Sequence, residues 1–204
     1  MNDLSPASAP KGRPREFCVD EALARALTVF WRHGYEGASM ADLTAAMGIT
    51  KPSLYAAFGN KEQLFRRALD LYEREKLAYV KTALEAPTAR GVAERLLHGT
   101  LALQTGHGDP KGCLAVIGST PCGAEAEGIK AEVAGRRASS KDALVRRFEQ
   151  AKAAGELPDG MTGASLAQYL FAIMQGLTLQ AGAGATPAEL SQLVETSMAV
   201  WPTK

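Results

Sequence analysis

The sequence is short of cysteine, of net charge, of unbroken apolar runs and of any strand pattern, and each shortage excludes something. Its three cysteines, Cys18, Cys113 and Cys122, are an odd number with no C-x-x-C spacing. They do not make the disulfide framework of a small secreted domain and fit the reduced thiols of a cytoplasmic protein. Lys and Arg total 23 against 22 Asp and Glu, a formal net charge of +1, so attraction to a polyanion must come from locally placed cations rather than from the field of the whole molecule. Met1 to Pro10 is small, polar and Pro-bearing, without the apolar core of a signal peptide. The most apolar stretch, Leu166 to Ala185, is interrupted by Gln168, Gln175 and Gln180 and closes in a Gly-rich turn, which makes it a poor membrane span. No run of alternating β-branched residues and no internal repeat is present, which argues against a sheet or a solenoid. The motifs G-x-S-x-G, H-E-x-x-H, G-x-x-x-x-G-K-S/T and G-x-G-x-x-G are missing, and Gly106-His107-Gly108 reads as a turn, so neither an enzyme nor a cofactor is expected. The spacings of His98, His107, Cys113 and Cys122 match no zinc pattern, and no metal is expected.

What is present is a chain of 204 residues, 46% hydrophobic and 22% charged, long enough for one or two domains with a real core. Residues 1–14, with Pro6, Pro10 and Pro14 among small polar residues, read as a flexible arm. Val19, Leu23, Ala26, Leu27, Phe30 and Trp31 then recur at helical spacing, and His33-Gly34 supplies a stop. Ser39, with Asp42 three residues on, caps a short helix that closes at Gly48. Thr50 caps a third helix with Pro52 in its first turn, and Gly59 ends it. Asn60 and Gln63 form a capping pair for a fourth helix, whose apolar spacing predicts one rod up to Pro87. Further helices are predicted over Thr88 to Gln104, Gly112 to Ser119, Ala124 to Ala154, Leu166 to Ala181 and from Pro187 to Trp201, the last opened by Thr186-Pro187-Ala188-Glu189. The fold class is therefore all-α, of about nine helices.

The sharpest local signal is the pair of short helices between residues 39 and 58, joined at Met47-Gly48-Ile49-Thr50 by a tight glycine turn, the grammar of a helix-turn-helix. Such a unit presents the first residues of its second helix to base edges, here Thr50, Lys51, Pro52 and Ser53. Helix N-termini carry unsatisfied N–H groups and a positive dipole end, so the starts at Ser39, Thr50 and Asn60 are candidate phosphate contacts, to which Tyr55 adds a hydroxyl and Lys61 a cation. Lys11, Arg13 and Arg15 in the arm are candidates for the minor groove.

In order along the chain, Phe30, Gly34-Tyr35, Ser39, Leu43, Ala46, Gly48-Ile49-Thr50, Ser53-Leu54-Tyr55, Phe58 and Lys61-Glu62-Gln63-Leu64-Phe65 resemble the tetracycline-repressor (TetR/AcrR) family. The likeness is dense over Glu21 to Leu69; beyond it only the helical plan and the segment Ala-Gly-Ala-Thr-Pro-Ala-Glu-Leu are similar. Pro52 stands where the family often has Gly. The resemblance implies a homodimeric, ligand-responsive regulator, most simply a repressor, whose recognition helix enters the major groove while Tyr55 and Lys61 hold the backbone of double-stranded operator DNA. It also implies a DNA-binding domain over residues 15–75 and a ligand-binding and dimerisation domain over 76–204, responsive to a small-molecule effector. Surplus apolar surface on 166–181 and 187–201 is expected to form a four-helix interface across a two-fold axis.

Lys111-Gly112-Cys113-Leu114, with Cys122 following, is similar to a segment that some family members use to sense electrophiles or oxidants. Lys111 and a helix start after Gly112 are the features expected to activate the thiol. Two alternatives to the ligand-released repressor therefore stand at this point: a redox or electrophile sensor acting through Cys113, and a helical protein-interaction module whose first three helices merely pack.

Overall fold

The computed structural model describes residues 17–117 and 126–202. Lys11, Arg13, Arg15 and Cys122 lie outside the described residues. Among those described there are ten helices and no strand: α1 Val19–Gly37, α2 Met40–Met47, α3 Lys51–Phe58, α4 Lys61–Lys76, α5 Ala78–Leu84, α6 Ala89–Thr105, α7 Leu114–Ile117, α8 Glu127–Ala153, α9 Gly163–Gly182 and α10 Pro187–Ala199. None of them is long and apolar enough to cross a membrane.

The apolar face of α1 buries Leu23, Leu27, Phe30 and Trp31, and α4 meets it with Leu64, Phe65, Leu69 and Tyr72. Two edge-to-face ring pairs lock the crossing, Phe30 on Phe65 at 4.9 Å and Trp31 on Tyr72 at 4.8 Å between centroids, a geometry that aligns a positive ring edge with a negative face. Leu43, Met47, Leu54 and Phe58 from α2 and α3 complete this core, and Leu114, Ile129 and Val133 of α7 and α8 join it. A second core gathers Val92, Leu96 and Leu97 of α6, Leu144 and Phe148 of α8, Leu166, Leu170 and Leu177 of α9, and Leu190, Val194 and Met198 of α10, closed by Trp201. The helical stop read at His33-Gly34 is visible inside α1, where Gly34 leaves helical backbone at φ 70° and ψ 179° before one last turn to Gly37.

The rod expected from Asn60 to Pro87 is two helices, which is why ten are found instead of nine. At Leu77 (φ −105°, ψ 11°) the amide reaches back five residues to the Tyr72 carbonyl, which ends α4 before α5 begins at Ala78. No proline or glycine marks the break. It follows from packing: Leu77 belongs to the first core, whereas Tyr79, Val80 and Ala83 belong to the second. Gly99 makes the second docking possible, because a Cβ there would lie 2.1 Å from the Tyr79 ring. The helix expected over Gly112 to Ser119 starts only at Leu114 in the described residues, because the Gly112 peptide is held elsewhere: its N–H donates to Gln104 Oε1 (2.7 Å), and its carbonyl accepts from Gln104 Nε2 (3.2 Å) and from the Trp31 indole (3.1 Å).

Between α4 and α8 lies a charged seam. Arg136 meets Asp70 at 2.8 Å, Glu73 at 2.9 Å and Glu132 at 2.8 Å, while Arg66 meets Glu132 at 2.6 Å and Glu62 at 2.5 Å. Burial pulls the Glu132 carboxyl upward, but the bonds from Arg66 and Arg136 prevail and hold it below its ordinary 4.5. Folding thus favours ionised Glu132, and the contribution is full above about pH 4.5 and is lost as pH falls further. Arg136→Ala leaves three carboxylates facing one another and is expected to cost about 1–2 kcal/mol at neutral pH, discounted for the solvent that screens the exposed Asp70 and Glu73. The deficit, measured by urea unfolding, narrows below about pH 4.5; a deficit independent of pH would show that the seam is not its source.

Candidate nucleic-acid interface

The two short helices form as their capping residues dictate. Ser39 Oγ accepts from the Asp42 amide (3.1 Å) and donates to Asp42 Oδ2 (2.6 Å), while its own amide donates to the same carboxylate (3.2 Å). These hydrogen bonds from Ser39 hold the Asp42 carboxyl below the usual carboxylate range. Gly48 turns the chain at φ 69° and ψ 28°, its amide and that of Ile49 returning to the carbonyls that end α2. This is the left-handed cap that side chains with a Cβ resist. Thr50 then caps α3, accepting from the Ser53 amide (3.3 Å) and sharing a hydroxyl bond with Ser53 (2.9 Å), and Pro52 occupies the first turn.

The first turn of α3 projects to solvent. Thr50, Lys51, Pro52 and Tyr55 are exposed, Ser53 is half-buried, and Lys51 Nζ lies 6.0 Å from the centroid of the Tyr55 ring. Leu54 and Phe58, on the opposite side, are buried in the first core. The start of α3 has no acidic residue in its first turn, so its free N–H groups face outward with their positive dipole end unopposed.

The other two candidate helix starts differ. At Ser39 the hydroxyl is committed to Asp42, whose negative charge sits at the same helix end. At Asn60, Oδ1 accepts from the Gln63 amide (2.8 Å) and the Asn60 amide donates to Gln63 Oε1 (3.1 Å), which leaves the Asn60 amide NH₂ pointing outward without a capping duty. Lys61, one residue on, is half-buried with Nζ 4.7 Å over the Tyr35 ring, and this burial lowers its pKa against the opposing pull of Glu36. The eight candidate residues from Ser39 to Lys61, six of them exposed and Ser53 and Lys61 half-buried, thus border one margin of the first core, made of α2, α3 and the start of α4.

Sequence reasoning missed the residue that braces the end of α3. Arg67, on α4, donates from Nη1 to the Ala57 carbonyl (3.0 Å) and lays its guanidinium 4.7 Å from the Phe58 ring centroid. A basic residue ten positions downstream satisfies an orphan carbonyl at the end of α3, a contact that no local pattern signals. Sequence reasoning also left open a cavity of about 470 Å³ in the helical domain, lined by Tyr72, Tyr79, Leu96, Cys113, Phe171 and Met174 among others. Cys113 lies beside it, half-buried in the loop before α7, but Lys111 does not turn to the thiol: its ammonium donates to the Gly106 carbonyl. Among the described residues no cluster of His, Cys, Asp or Glu could hold a metal ion.

Comparison with known proteins extends the geometry. A model described as bacterial regulatory proteins, tetR family, matches residues 22–68, which include α2 and α3. The HTH-type transcriptional repressor ComR of Escherichia coli (strain K12) is 34% identical over 195 residues, 94% of this chain and 92% of ComR. The chain belongs to the tetR family of transcriptional regulators. Family members are DNA-binding regulators and not enzymes. The HTH-type transcriptional repressor BdcR of the same E. coli strain is 46% identical over 61 residues, 30% of this chain and 31% of BdcR. Among solved structures, a cysteine mutant of the TetR family transcriptional regulator CifR, in complex with 26-base-pair double-strand operator DNA, superposes with a TM-score of 0.86 at 39% identity, covering 93% of this chain and all of that one.

For a tetR-type helix-turn-helix the glycine turn is the most exacting local constraint. A Cβ on Gly48 would find its nearest neighbour, Arg25 Nη1, at 3.6 Å, so space is not limiting and the cost of a substitution is conformational. Gly48→Ala is expected to lower stability by about 1–2 kcal/mol, and Gly48→Asn by less, because Asn tolerates the left-handed region. Denaturant midpoints at unchanged slope measure both.

Proposed function

We propose that this chain is a cytoplasmic repressor that binds a pseudo-palindromic operator as a homodimer and is released by a small effector, with a DNA-binding domain over residues 15–75 and a ligand-binding and dimerisation domain over 76–204. The observation that carries the reading is the solvent-facing first turn of α3, Thr50, Lys51, Pro52 and the half-buried Ser53, which contains no acidic residue. In this arrangement α3 lies in the major groove, Thr50, Lys51, Pro52 and Ser53 meet base edges, and Ser39, Tyr55, Asn60 and Lys61 grip phosphate. Of the three helix starts, those at Thr50 and Asn60 carry more of the phosphate contact than Ser39, where Asp42 opposes it. Lys11, Arg13 and Arg15 extend the footprint into the minor groove.

The dimer surface is α9 supported by α10. Tyr169, Ala172, Gly176 and Leu179 recur at i, i+3, i+7 and i+10 on α9, with Tyr169 40% and Leu179 69% exposed, and the small residues between them permit close approach of a twin helix. On α10, Leu190, Val194 and Met198 turn inward, so its outward face is more polar and the surplus apolar surface belongs chiefly to α9. Leu179→Arg is expected to shift the protein to monomers in sedimentation at micromolar concentration; an intact dimer would place the interface elsewhere.

A second reading rests on Cys113, which lines the cavity and follows directly on the Gly112 peptide that Trp31 binds. Modification of this thiol would add bulk at the joint between α1 and the helical domain, and release on oxidation or alkylation would follow. The experiment that tests both readings is selection of duplexes from fragmented source genome by the purified protein, with and without reducing agent. A recovered pseudo-palindrome supports the repressor, its loss on mild oxidation supports the thiol sensor, and a lack of enrichment in every condition favours a protein-interaction module. On the selected site, Tyr55→Phe and Lys61→Ala are expected to weaken specific and random duplex alike, Lys61→Ala making the salt slope shallower by about 1, while Ser53→Ala alters base preference. Equal losses on both duplexes for Ser53→Ala would remove it from base recognition.

A further inference from the structure

The outward-facing helix α3 is held from its far end. It is eight residues long and buries Leu54 and Phe58 alone, so its direction depends heavily on how its ends are fixed. Its start is capped from within by Thr50, whose hydroxyl accepts from the Ser53 amide. Its last turn is tied to α4 instead. Arg67 Nη1 donates to the Ala57 carbonyl at 3.0 Å, and the same guanidinium lies 4.7 Å from the centroid of the Phe58 ring. Phe17, from the chain just before α1, meets that ring as well, at 6.5 Å between centroids. The carbonyls of a final helical turn have no intrahelical partner and form the negative end of the dipole, so one guanidinium there supplies both a donor and an opposing charge. Arg66, one residue earlier, turns elsewhere: it binds Glu62 of its own helix and Glu132 of α8. Consecutive arginines of α4 thus hold two different elements, α8 and α3.

We propose that Arg67 is a positioning residue for operator binding: it contacts no base itself and sets the angle at which the first turn of α3 meets the groove. This rests on the reading above that α3 is the helix that meets base edges. The two ends of α3 are well separated. From Thr50 to Ala57 the helical rise of 1.5 Å per residue gives about 10 Å, so Arg67 acts at the opposite end from Lys51, Pro52 and Ser53. A small tilt at the fixed end grows along that length. About 10° displaces the first turn by about 2 Å, well outside the window of roughly 0.5 Å within which an N–H···O hydrogen bond keeps its strength. Base-edge bonds from α3 are therefore exacting about the tilt. Phosphate contacts are more tolerant, because charge attraction falls off slowly with distance and carries no sequence information. Loss of the Arg67 bond thus falls on the specific part of the binding and spares the non-specific part.

The test measures binding of the full chain, as wild type, Arg67→Ala and Arg67→Lys, to the selected duplex and to a random duplex of equal length. It is run over a series of salt concentrations, at a temperature where circular dichroism shows all three proteins equally folded. Arg67→Ala is expected to bind the selected duplex about tenfold more weakly. Its affinity for the random duplex is expected to stay within about twofold of wild type, with the slope of log affinity against log salt unchanged. Arg67→Lys keeps a donor for the Ala57 carbonyl but has no plane to lay on the Phe58 ring, and is expected to fall between the other two. Equal losses on both duplexes, with a slope shallower by about 1, would make Arg67 a phosphate contact and overturn the proposal. Undiminished affinity of Arg67→Ala for the selected duplex also overturns it while leaving α3 as the helix that meets the bases. A wild type that selects no duplex, or a selected site whose base preference survives both Lys51→Ala and Ser53→Ala, overturns that reading of α3 and the proposal with it.

Discussion

The contact on which the rest of this molecule depends is the edge-to-face packing of Trp31 against Tyr72, with the Trp31 indole bonded to the Gly112 carbonyl. One side chain thereby joins three parts of the chain that are distant in sequence: α1, α4 and the loop before α7. The aromatic pair contributes about 0.5–1.5 kcal/mol beyond burial, yet its position matters more than its strength. Gln104, buried at 2% exposure, clasps the same Gly112 peptide from both sides, so the loop cannot move without breaking buried hydrogen bonds.

This joint explains how a tetR-type regulator can be one switch and not two independent modules. The first core is not confined to the helices that carry α3, since Leu114, Ile129 and Val133 of α7 and α8 are packed into it. The charged seam from Arg66 and Arg136 to Asp70, Glu73 and Glu132 ties α4 to α8 along the same boundary. A small molecule needs only a modest difference in affinity between two arrangements of such a joint, about 1–3 kcal/mol, to alter operator affinity by roughly 5-fold to 150-fold.

Much of the helix-turn-helix margin was legible in the sequence because capping is local chemistry. Ser39, Gly48, Thr50 and Asn60 each act on a backbone group within four residues, and each took the predicted role. The break at Leu77 was not legible, since its cause is the allocation of Leu77 and Val80 to different cores, with no proline or glycine to announce it. Arg67 on the Ala57 carbonyl, Tyr79 on Gly99 and Arg136 on Asp70 and Glu73 were hidden for the same reason: each partner lies 10 to 66 residues away.

By itself the sequence determined the helical class, the helix-turn-helix between residues 39 and 58 and the outward side of α3, because 3.6-residue periodicity and end-capping act within a single turn of backbone. The tertiary structure alone decided where the rod divides, which face of α9 is left uncovered, and that Arg67 turns to the end of α3. Those outcomes depend on which distant surfaces exclude water from one another, and a linear pattern does not encode that pairing until the chain has folded.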